Sequence, residues 1–491
     1  MTNTFLALLE SSSSRISFDD GSSMTSAELA ANGARLAAGL QNSGLKSGDR
    51  IAIWLANGAA YLEVIAACAA GSFVGVNVNT RYSPTEAATL IERSGAALTI
   101  TDQPSDLPGG LAIMTPTQLP AIAANEPIEH RASAEDPFLV FTTSGTTSKP
   151  KMVLHKQRSI VQHSLAVAPF FGLSRDTPAL VALPMCGVFG LNSFASAIAG
   201  DSPIWLAGQF DAAAAAEAVV RHHIVAMNGS DDMFYRMMQQ QHDLSSLKIC
   251  GYGAFNASLD DVAVRADTLG MKLSGVYGMS EVQALLAFRG TDTPLEVRRK
   301  SGGKLASPHS RVRVVDPDSG DVLPHETEGE LQLQGPSLFA GYLAEGGSSI
   351  DAELTGRALV DEWFSTGDLG TTNADGSFTF ITRMGDVLRL GGFLVAPAEI
   401  EEVLLEHDAV NDVQVVAAAG PNGARPVAFV ISEEVIDEAA VIAHCHSVLA
   451  KFKCPVRIIT VAAFPATDGP NGVKIQKTKL REMARIALAE T

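Results

Sequence analysis

Helix-spaced and strand-like segments alternate along most of this chain, and that alternation limits the folds open to it more than any other feature. From Ser26 to Leu40 the run SAELAANGARLAAGL sets apolar residues at helical spacing, and the turn GLKSGDR then leads into IAIWLAN, a strand pattern. Tyr61 to Ala70 reads as a helix and Val74 to Val78 as a short strand. The alternation recurs through Leu183, Ile224 to Met227, Leu247 to Cys250 and Leu273 to Tyr277. It predicts an α/β fold with largely parallel sheets, because parallel neighbours need a crossover and a helix supplies it. After Ser310 the pattern changes: RVRVVDPDSGDVLPHETEGELQLQG alternates apolar and polar residues around Pro, Asp and Gly turns, as a β-hairpin or small barrel does. A second change comes near Met384 and Gly385. Beyond it the apolar strand DVQVVAAAG, the strand AFVIS and a helix from about Asp437 to Ala450 predict a compact α+β unit. The expected division is a large N-terminal domain, residues 1–384, and a small C-terminal domain, residues 385–491.

A length of 491 residues allows two to four domains, at roughly 100–200 residues for each independent core. Hydrophobic residues make up 46% and charged residues 18%, which excludes a disordered chain. Lys and Arg number 36 against 54 Asp and Glu, a net charge of −18 that argues against nucleic acid as a partner. Any polyanion must be held by local groups. The five cysteines, Cys68, Cys186, Cys250, Cys445 and Cys454, are odd in number and lack CxxC spacing, so reduced thiols are expected rather than a disulfide framework or a zinc ribbon. The segment MTNTFLALLESSSS has no basic stretch, and Glu10 interrupts its apolar run. The most apolar segment, Val64 to Val76, is shorter than the ~20 residues that span a bilayer. A cytoplasmic protein without a transmembrane segment is the expectation.

Against that acidic background the segment FTTSGTTSKPKMVLH, Phe141 to His155, stands out. It closes the apolar strand FLVF and gathers hydroxyls, a glycine and two lysines. A flexible linker has such a composition, and so does a phosphate-binding loop: Gly145 lets successive N–H groups point at an anion, the hydroxyls donate, and Lys151 brings charge. A Walker loop is excluded, since the second glycine of GxxxxGK[ST] is missing. Further on come YGMSE (Tyr277 to Glu281), STGDLG (Ser365 to Gly370), RMGDVLRLGGFLVAPAEIE (Arg383 to Glu401) and NGVKIQKTKLR (Asn471 to Arg481). Each alone has an ordinary reading. Ser280 could cap a helix with Glu281 in its first turn, STGDLG could be a plain turn, and Lys474 could be one cation of a basic tail helix. GYGAFN, Gly251 to Asn256, nearly spells the dinucleotide fingerprint, but Asn256 breaks it. The pairs His222/His223 and His444/His446 lack the i, i+4 spacing of a zinc-binding helix.

Together and in this order the five motifs resemble the adenylate-forming (AMP-binding) superfamily, which includes acyl-CoA synthetases, adenylation domains of peptide synthetases and firefly-type luciferases. GLKSGDRIAIWLANG extends the likeness toward the N-terminus. The resemblance implies an acyl-CoA synthetase of the fatty-acid or aryl-acid CoA ligase type, using ATP, Mg²⁺ and CoA. A carboxylic acid and ATP would give an acyl-adenylate and pyrophosphate, and the CoA thiol would then attack the adenylate. Thr143, Ser144, Gly145, Thr146, Thr147 and Lys151 would wrap the β- and γ-phosphates. Tyr277, followed by Gly278, would lie against the adenine, with Gly253 and Ala254 on the same base. Ser280, where Thr is usual, would touch phosphate, and Glu281 would ligate Mg²⁺. Asp368 and Arg383 would hold the ribose, with Phe380 close by.

Lys474 aligns with the family's catalytic lysine and, as a fixed cation, would stabilise charge building up between the carboxylate and the α-phosphate. Two anions have to meet in this reaction. A pair of unit charges about 4 Å apart is worth about 1 kcal/mol in water and about 4 kcal/mol at an effective dielectric near 20, so a shielded lysine and Mg²⁺ are the effective answer. The resembled enzymes rotate a mobile C-terminal domain between the two steps. That would make Gly385 the hinge, and Gly392 the point where the pantetheine arm passes the backbone too closely for a Cβ.

The chain also departs from the family pattern. Gly385 stands where Asp or Lys is commoner, Ser148 and Met152 replace glycines, and Gln157 stands where His is common. In LPMCGVFG, Gly187 occupies a position where many acyl and aryl CoA ligases carry His or an aromatic residue. Gly187, Gly229, Gly253 and Met279 are expected to line the acid pocket, and small residues leave room without naming the acid. The same stretch lacks the Asp that pairs a substrate amino group, which disfavours an amino-acid-activating module. Two other readings stay open: a stand-alone enzyme that loads a carrier protein, and a non-catalytic nucleotide-binding regulator. A homodimer is also open.

Overall fold

Thr25 starts the first long helix, Ser26–Asn42, with a reciprocal cap. Its hydroxyl accepts from the Glu28 N–H at 3.1 Å while the Glu28 carboxylate accepts from the Thr25 N–H at 2.7 Å, so two otherwise unpaired donors are satisfied. This helix packs on Ala59–Gly71 along a seam of small residues: a Cβ at Gly33 would stand 2.4 Å from the Cβ of Ala66. The computed structural model describes residues 3–128, 132–143, 150–254, 259, 261–390, 393–395, 397–420, 423–449, 451, 453–469 and 472–489.

The strands between these helices build a seven-stranded sheet in the order Gly341–Tyr342, Met152–Lys156, Pro137–Thr142, Val74–Asn77, Arg50–Trp54, Leu98–Thr101, Ile113–Met114. From Pro137–Thr142 onward every pairing is parallel, as the helix–strand alternation requires. A five-stranded sheet orders Ala226–Met227, Ala179–Val181, Ile204–Leu206, Arg15–Phe18 and Ser23–Thr25, and only its last pairing is antiparallel. A ten-stranded sheet begins parallel with Gly229–Ser230, Cys250–Gly253 and Leu273–Met279, then turns antiparallel at Gln283–Phe288. The hairpin expected after Ser310 is Arg311–Val315 paired with Gly329–Gln334, and it joins the antiparallel end of this sheet. The helices Gln157–Phe170 and Val188–Ala199 pack on each other and on Gln283–Phe288, sharing one apolar core with Phe138, Ile160, Leu191, Phe194 and Leu285.

From Leu388 onward the apolar side chains pack among themselves. The three-stranded sheet of Asp412–Gly420, Gly423–Ile431 and Arg457–Thr460 is covered on both faces. Val413, Val415, Ala428 and Val430 face the core shared with Ile400 and Cys445, while Val416, Ala418, Val427 and Phe429 face Leu480 and Ala484. Period-two alternation sends neighbours to opposite sides, so a strand buried twice reads as the unbroken apolar run VVAAA, Val415 to Ala419. The Arg481 guanidinium, on the helix Lys477–Ala489, reaches back to the Gly385 carbonyl and, at 2.9 Å, to the Asp386 carboxylate. All five cysteines are buried and unbridged. Among the described residues no helix is long and apolar enough to cross a membrane.

Gly33→Val should lower stability by about 1–3 kcal/mol, since the added atoms meet Ala66 backbone that cannot give way. Chemical denaturation of the variant and the parent chain measures it.

Candidate active site

The strand Leu273–Met279 does not lead into a helix. It turns back at once into Gln283–Phe288, so Ser280 and Glu281 occupy a strand-to-strand turn and the helix-cap reading of Ser280 is excluded. Gly278 is required there, because a Cβ would fall 2.4 Å from the Gln283 carbonyl oxygen. Glu281 is buried, and its Oε1 accepts from the Tyr342 hydroxyl at 2.9 Å. Burial and the neighbouring carboxylate push the Tyr342 phenol well above its ordinary range. The other face of that tyrosine carries a cation: Lys151 Nζ stands 4.7 Å from the ring centroid.

A second tyrosine–carboxylate pair stands beside the first. Tyr277 donates its hydroxyl to Asp368 Oδ2 at 2.6 Å, across from Arg383, whose Nη1 lies 3.0 Å from Asp368 Oδ1. Arg383 Nη1 donates to the Thr366 carbonyl at 3.0 Å and pairs with Oδ1 by charge alone, so among the described residues Oδ1 is buried next to a cation with no hydrogen bond of its own. Burial outweighs Arg383 and raises the Asp368 carboxyl to about 6. The Tyr277 ring meets Phe378 edge-on at 5.1 Å and Phe380 at 5.8 Å. At the end of Pro137–Thr142, the Thr143 Oγ1 is likewise buried and has no partner among the described residues, while its N–H donates to the Lys151 carbonyl at 3.1 Å. Contacts therefore run from Thr143 through Lys151 and Tyr342 to Glu281, and from Tyr277 through Asp368 to Arg383. Two unused buried polar atoms, one acceptor and one hydroxyl, face into this group.

Sequence reasoning missed several members. Tyr342 belongs to no motif; only the pairing of Gly341–Tyr342 with Met152–Lys156 brings it to Glu281. His155 and His163 are fully buried beneath the turn, and burial holds both imidazoles down at about 4, so they are neutral. Their partners are the Ser280 and Ala284 carbonyls. Two departures from the family pattern turn out to be structural. Met152 is a core residue, and the Gln157 amide ties the Phe5 N–H (2.9 Å) to the Ala69 carbonyl (3.0 Å), joining three helices.

The expected acid-pocket residues occupy element ends. Gly187 precedes the helix Val188–Ala199, Gly229 opens a strand against Phe234, and Met279 closes one, half-buried. Gly253 ends the strand Cys250–Gly253 and Ala254 follows it, exposed. A cavity of about 610 Å³ lies next to the first two, lined by Pro184, Cys186, Ser230 and Met233 and, from the C-terminal part, by Phe464 and Ile475. Ile475 follows Lys474 in the hairpin strand Gly472–Ile475. Ser144, Gly145, Thr146, Thr147, Ser148 and Gly392 lie outside the described residues, as does the side chain of Lys474. Gly385 has open space where a Cβ would project.

Comparison with known proteins agrees with this geometry. The family model "AMP-binding enzyme" matches residues 9–343, and the model of the AMP-binding enzyme C-terminal domain matches residues 399–469. The chain belongs to the AMP-binding enzyme family. A feruloyl-CoA synthase from Amycolatopsis sp. is 29% identical over 477 residues, 94% of each chain. A 2-succinylbenzoate–CoA ligase from a Geobacillus species is 28% identical over 467 residues, 91% of each. Among solved structures, ATP-bound MatB from Rhodopseudomonas palustris superposes with a TM-score of 0.88 at 24% identity, covering 99% of this chain and 100% of that one. The O-succinylbenzoate CoA synthetase of Bacillus subtilis with AMP gives 0.85 at 22% identity, with 98% of each chain covered.

Removing the Tyr277 hydroxyl leaves the Asp368 carboxylate buried with one donor fewer. Because burial raises this carboxyl, its ionised form costs stability as pH rises from about 4 through about 6. Tyr277→Phe should therefore destabilise the protein by about 1–3 kcal/mol at pH 8 and by less at pH 5, where the carboxyl is protonated. Denaturation at the two pH values measures the difference.

Proposed function

We propose that this enzyme is an ATP-dependent carboxylic acid–CoA ligase acting on an aryl acid. It forms an acyl-adenylate with release of pyrophosphate and then passes the acyl group to the CoA thiol. The observation that carries the reading is the pair of tyrosine-held carboxylates, Glu281 and Asp368, set between Lys151 and Arg383 with a free buried acceptor at Asp368 Oδ1 and a free buried hydroxyl at Thr143. An acceptor beside a cation suits a ribose hydroxyl, and a hydroxyl beside a lysine suits a phosphate oxygen. The curated relatives named above are CoA ligases whose names give aromatic acids, which favours an aryl over a fatty acid.

In this reading Thr143 to Thr147 and Lys151 bind the β- and γ-phosphates, Asp368 and Arg383 take the ribose, and Tyr277 orients Asp368 while its ring and Phe380 border the adenine. Ser280 contacts phosphate. Glu281 fits Mg²⁺, which takes one or two carboxylates plus substrate phosphates. When bound, the ion supplies charge that offsets the triphosphate. A carboxylate oxygen of the acid attacks the α-phosphorus, and the bond to the leaving pyrophosphate breaks. Lys474, carried on the hairpin next to the cavity, is the cation that stabilises this step. The thiol sulfur of CoA then attacks the acyl carbonyl, its proton leaves to solvent and AMP departs. Gly385 serves as the hinge between a 1–384 domain and a 385–491 domain, and Gly392 as the passage for the pantetheine arm. Gly187 and Gly229, next to the lining of the cavity, leave room for a ring.

Pyrophosphate release across a panel of aryl and fatty acids, with ATP and CoA supplied, tests the reading. Release is expected with an aryl acid, and Lys474→Ala should lower it by about 10²–10³-fold while thioester formation from supplied acyl-adenylate persists. No release with any acid overturns the proposal. A second expectation concerns pH. Asp368 in the free enzyme loses its charge below about pH 6, so the KM for ATP should rise as pH falls through that value while kcat stays level. Asp368→Asn should raise the KM at neutral pH and flatten the profile.

A further inference from the structure

The strand Gln283–Phe288, which leads out of the turn carrying Ser280 and Glu281, begins in a conformation its residues do not favour. Gln283 and Leu285 have φ of 71° and 63°, left-handed values that side chains other than glycine seldom adopt. Something must hold them there, and a chain of buried polar side chains does.

The Ser280 carbonyl can only accept, so the His155 Nε2 that approaches it at 2.7 Å carries the proton. His155 Nδ1 is then an acceptor and takes the Gln283 Nε2–H at 2.8 Å. Gln283 Oε1 accepts from Asn192 Nδ2 at 2.9 Å, and Asn192 Oδ1 accepts from the Ala284 N–H at 2.8 Å. On the far side, the Ala284 carbonyl accepts from His163 Nε2 at 2.6 Å, and His163 Nδ1 accepts from the Ser337 hydroxyl at 2.9 Å. With both imidazoles donating from Nε2, the amide links have one direction, because flipping Gln283 or Asn192 would set two donors or two acceptors against each other. His155, His163, Asn192 and Gln283 are all fully buried.

A strand start needed only for connection would place glycine at φ 71°. This chain instead places a glutamine there and uses its amide as the central link.

We propose that the relay from His155 through Gln283 to Asn192 is a positioning device for the reaction, holding the strained start of the strand Gln283–Phe288 so that Ser280 and Glu281, in the turn before it, meet the magnesium-bound triphosphate at a fixed register. The inference rests on the assignment of Glu281 to Mg²⁺. None of the three relay residues touches substrate. They act through the backbone on either side of Glu281, as groups behind a metal ligand commonly do.

The decisive variant is Gln283→Gly. Glycine takes φ 71° freely, so the fold keeps its turn while the relay loses its centre. Pyrophosphate release is followed against Mg²⁺ concentration at saturating ATP, using whichever acid gives the strongest release, with thermal unfolding alongside. The Mg²⁺ concentration for half-maximal rate should rise about tenfold, while the melting temperature stays within about 4 °C of the parent. His155→Leu should shift the Mg²⁺ response in the same direction, and His155→Gln, whose amide can still donate to the Ser280 carbonyl, should recover part of it. Glu281→Gln, measured in parallel, separates the two claims. A shifted response in Glu281→Gln beside an unshifted one in Gln283→Gly and His155→Leu overturns the relay alone. An unshifted Glu281→Gln overturns the metal assignment and the relay with it.

Discussion

Two buried carboxylates, each held by a tyrosine hydroxyl, are the constraint around which the rest of this site is arranged. Glu281 receives Tyr342 and Asp368 receives Tyr277, and both carboxylates are buried. Burying an ionised carboxylate is costly unless donors and a nearby cation offset it. Lys151 over the Tyr342 ring and Arg383 beside Asp368 supply that charge. The offset is incomplete at Asp368, whose carboxyl stays near 6 with one oxygen unsatisfied.

The whole-chain charge of −18 gives this arrangement its meaning. An acidic protein cannot draw in ATP by its average field, so recognition falls to a few cations held close to the reacting centre. The structure gathers the site's groups from three places: the end of Pro137–Thr142, the turn after Leu273–Met279, and the paired strands Trp363–Thr372 and Phe378–Arg383. Each contributes one or two groups, and none makes a site by itself.

The motifs were legible because the chemistry they serve restricts both residue type and spacing. A hydroxyl-rich loop closing a strand, a YGMSE turn and a buried Gly-Asp strand could be read as nucleotide-binding features, and Gly278 shows why: its turn leaves no room for a Cβ under the Gln283 carbonyl. The support beneath them was not legible. His155, His163, Asn192 and Gln283 lie between 91 and 128 positions from their partners across the chain in the pairs that matter most, and no local pattern marks them. Gln157 is the converse case. At a family position where His is common, it serves only to tie helices together.

The sequence by itself determined the α/β class and the motifs that mark the family, because periodicity and short-range spacing are local properties of a chain. Tertiary structure alone decided which polar atoms were left without partners. It put Tyr342 against Glu281 by pairing Gly341–Tyr342 with Met152–Lys156, and it turned the Arg383 N–H toward Thr366. Those outcomes depend on distances of a few ångströms between residues far apart in the chain, and such distances exist only once the sheets have formed.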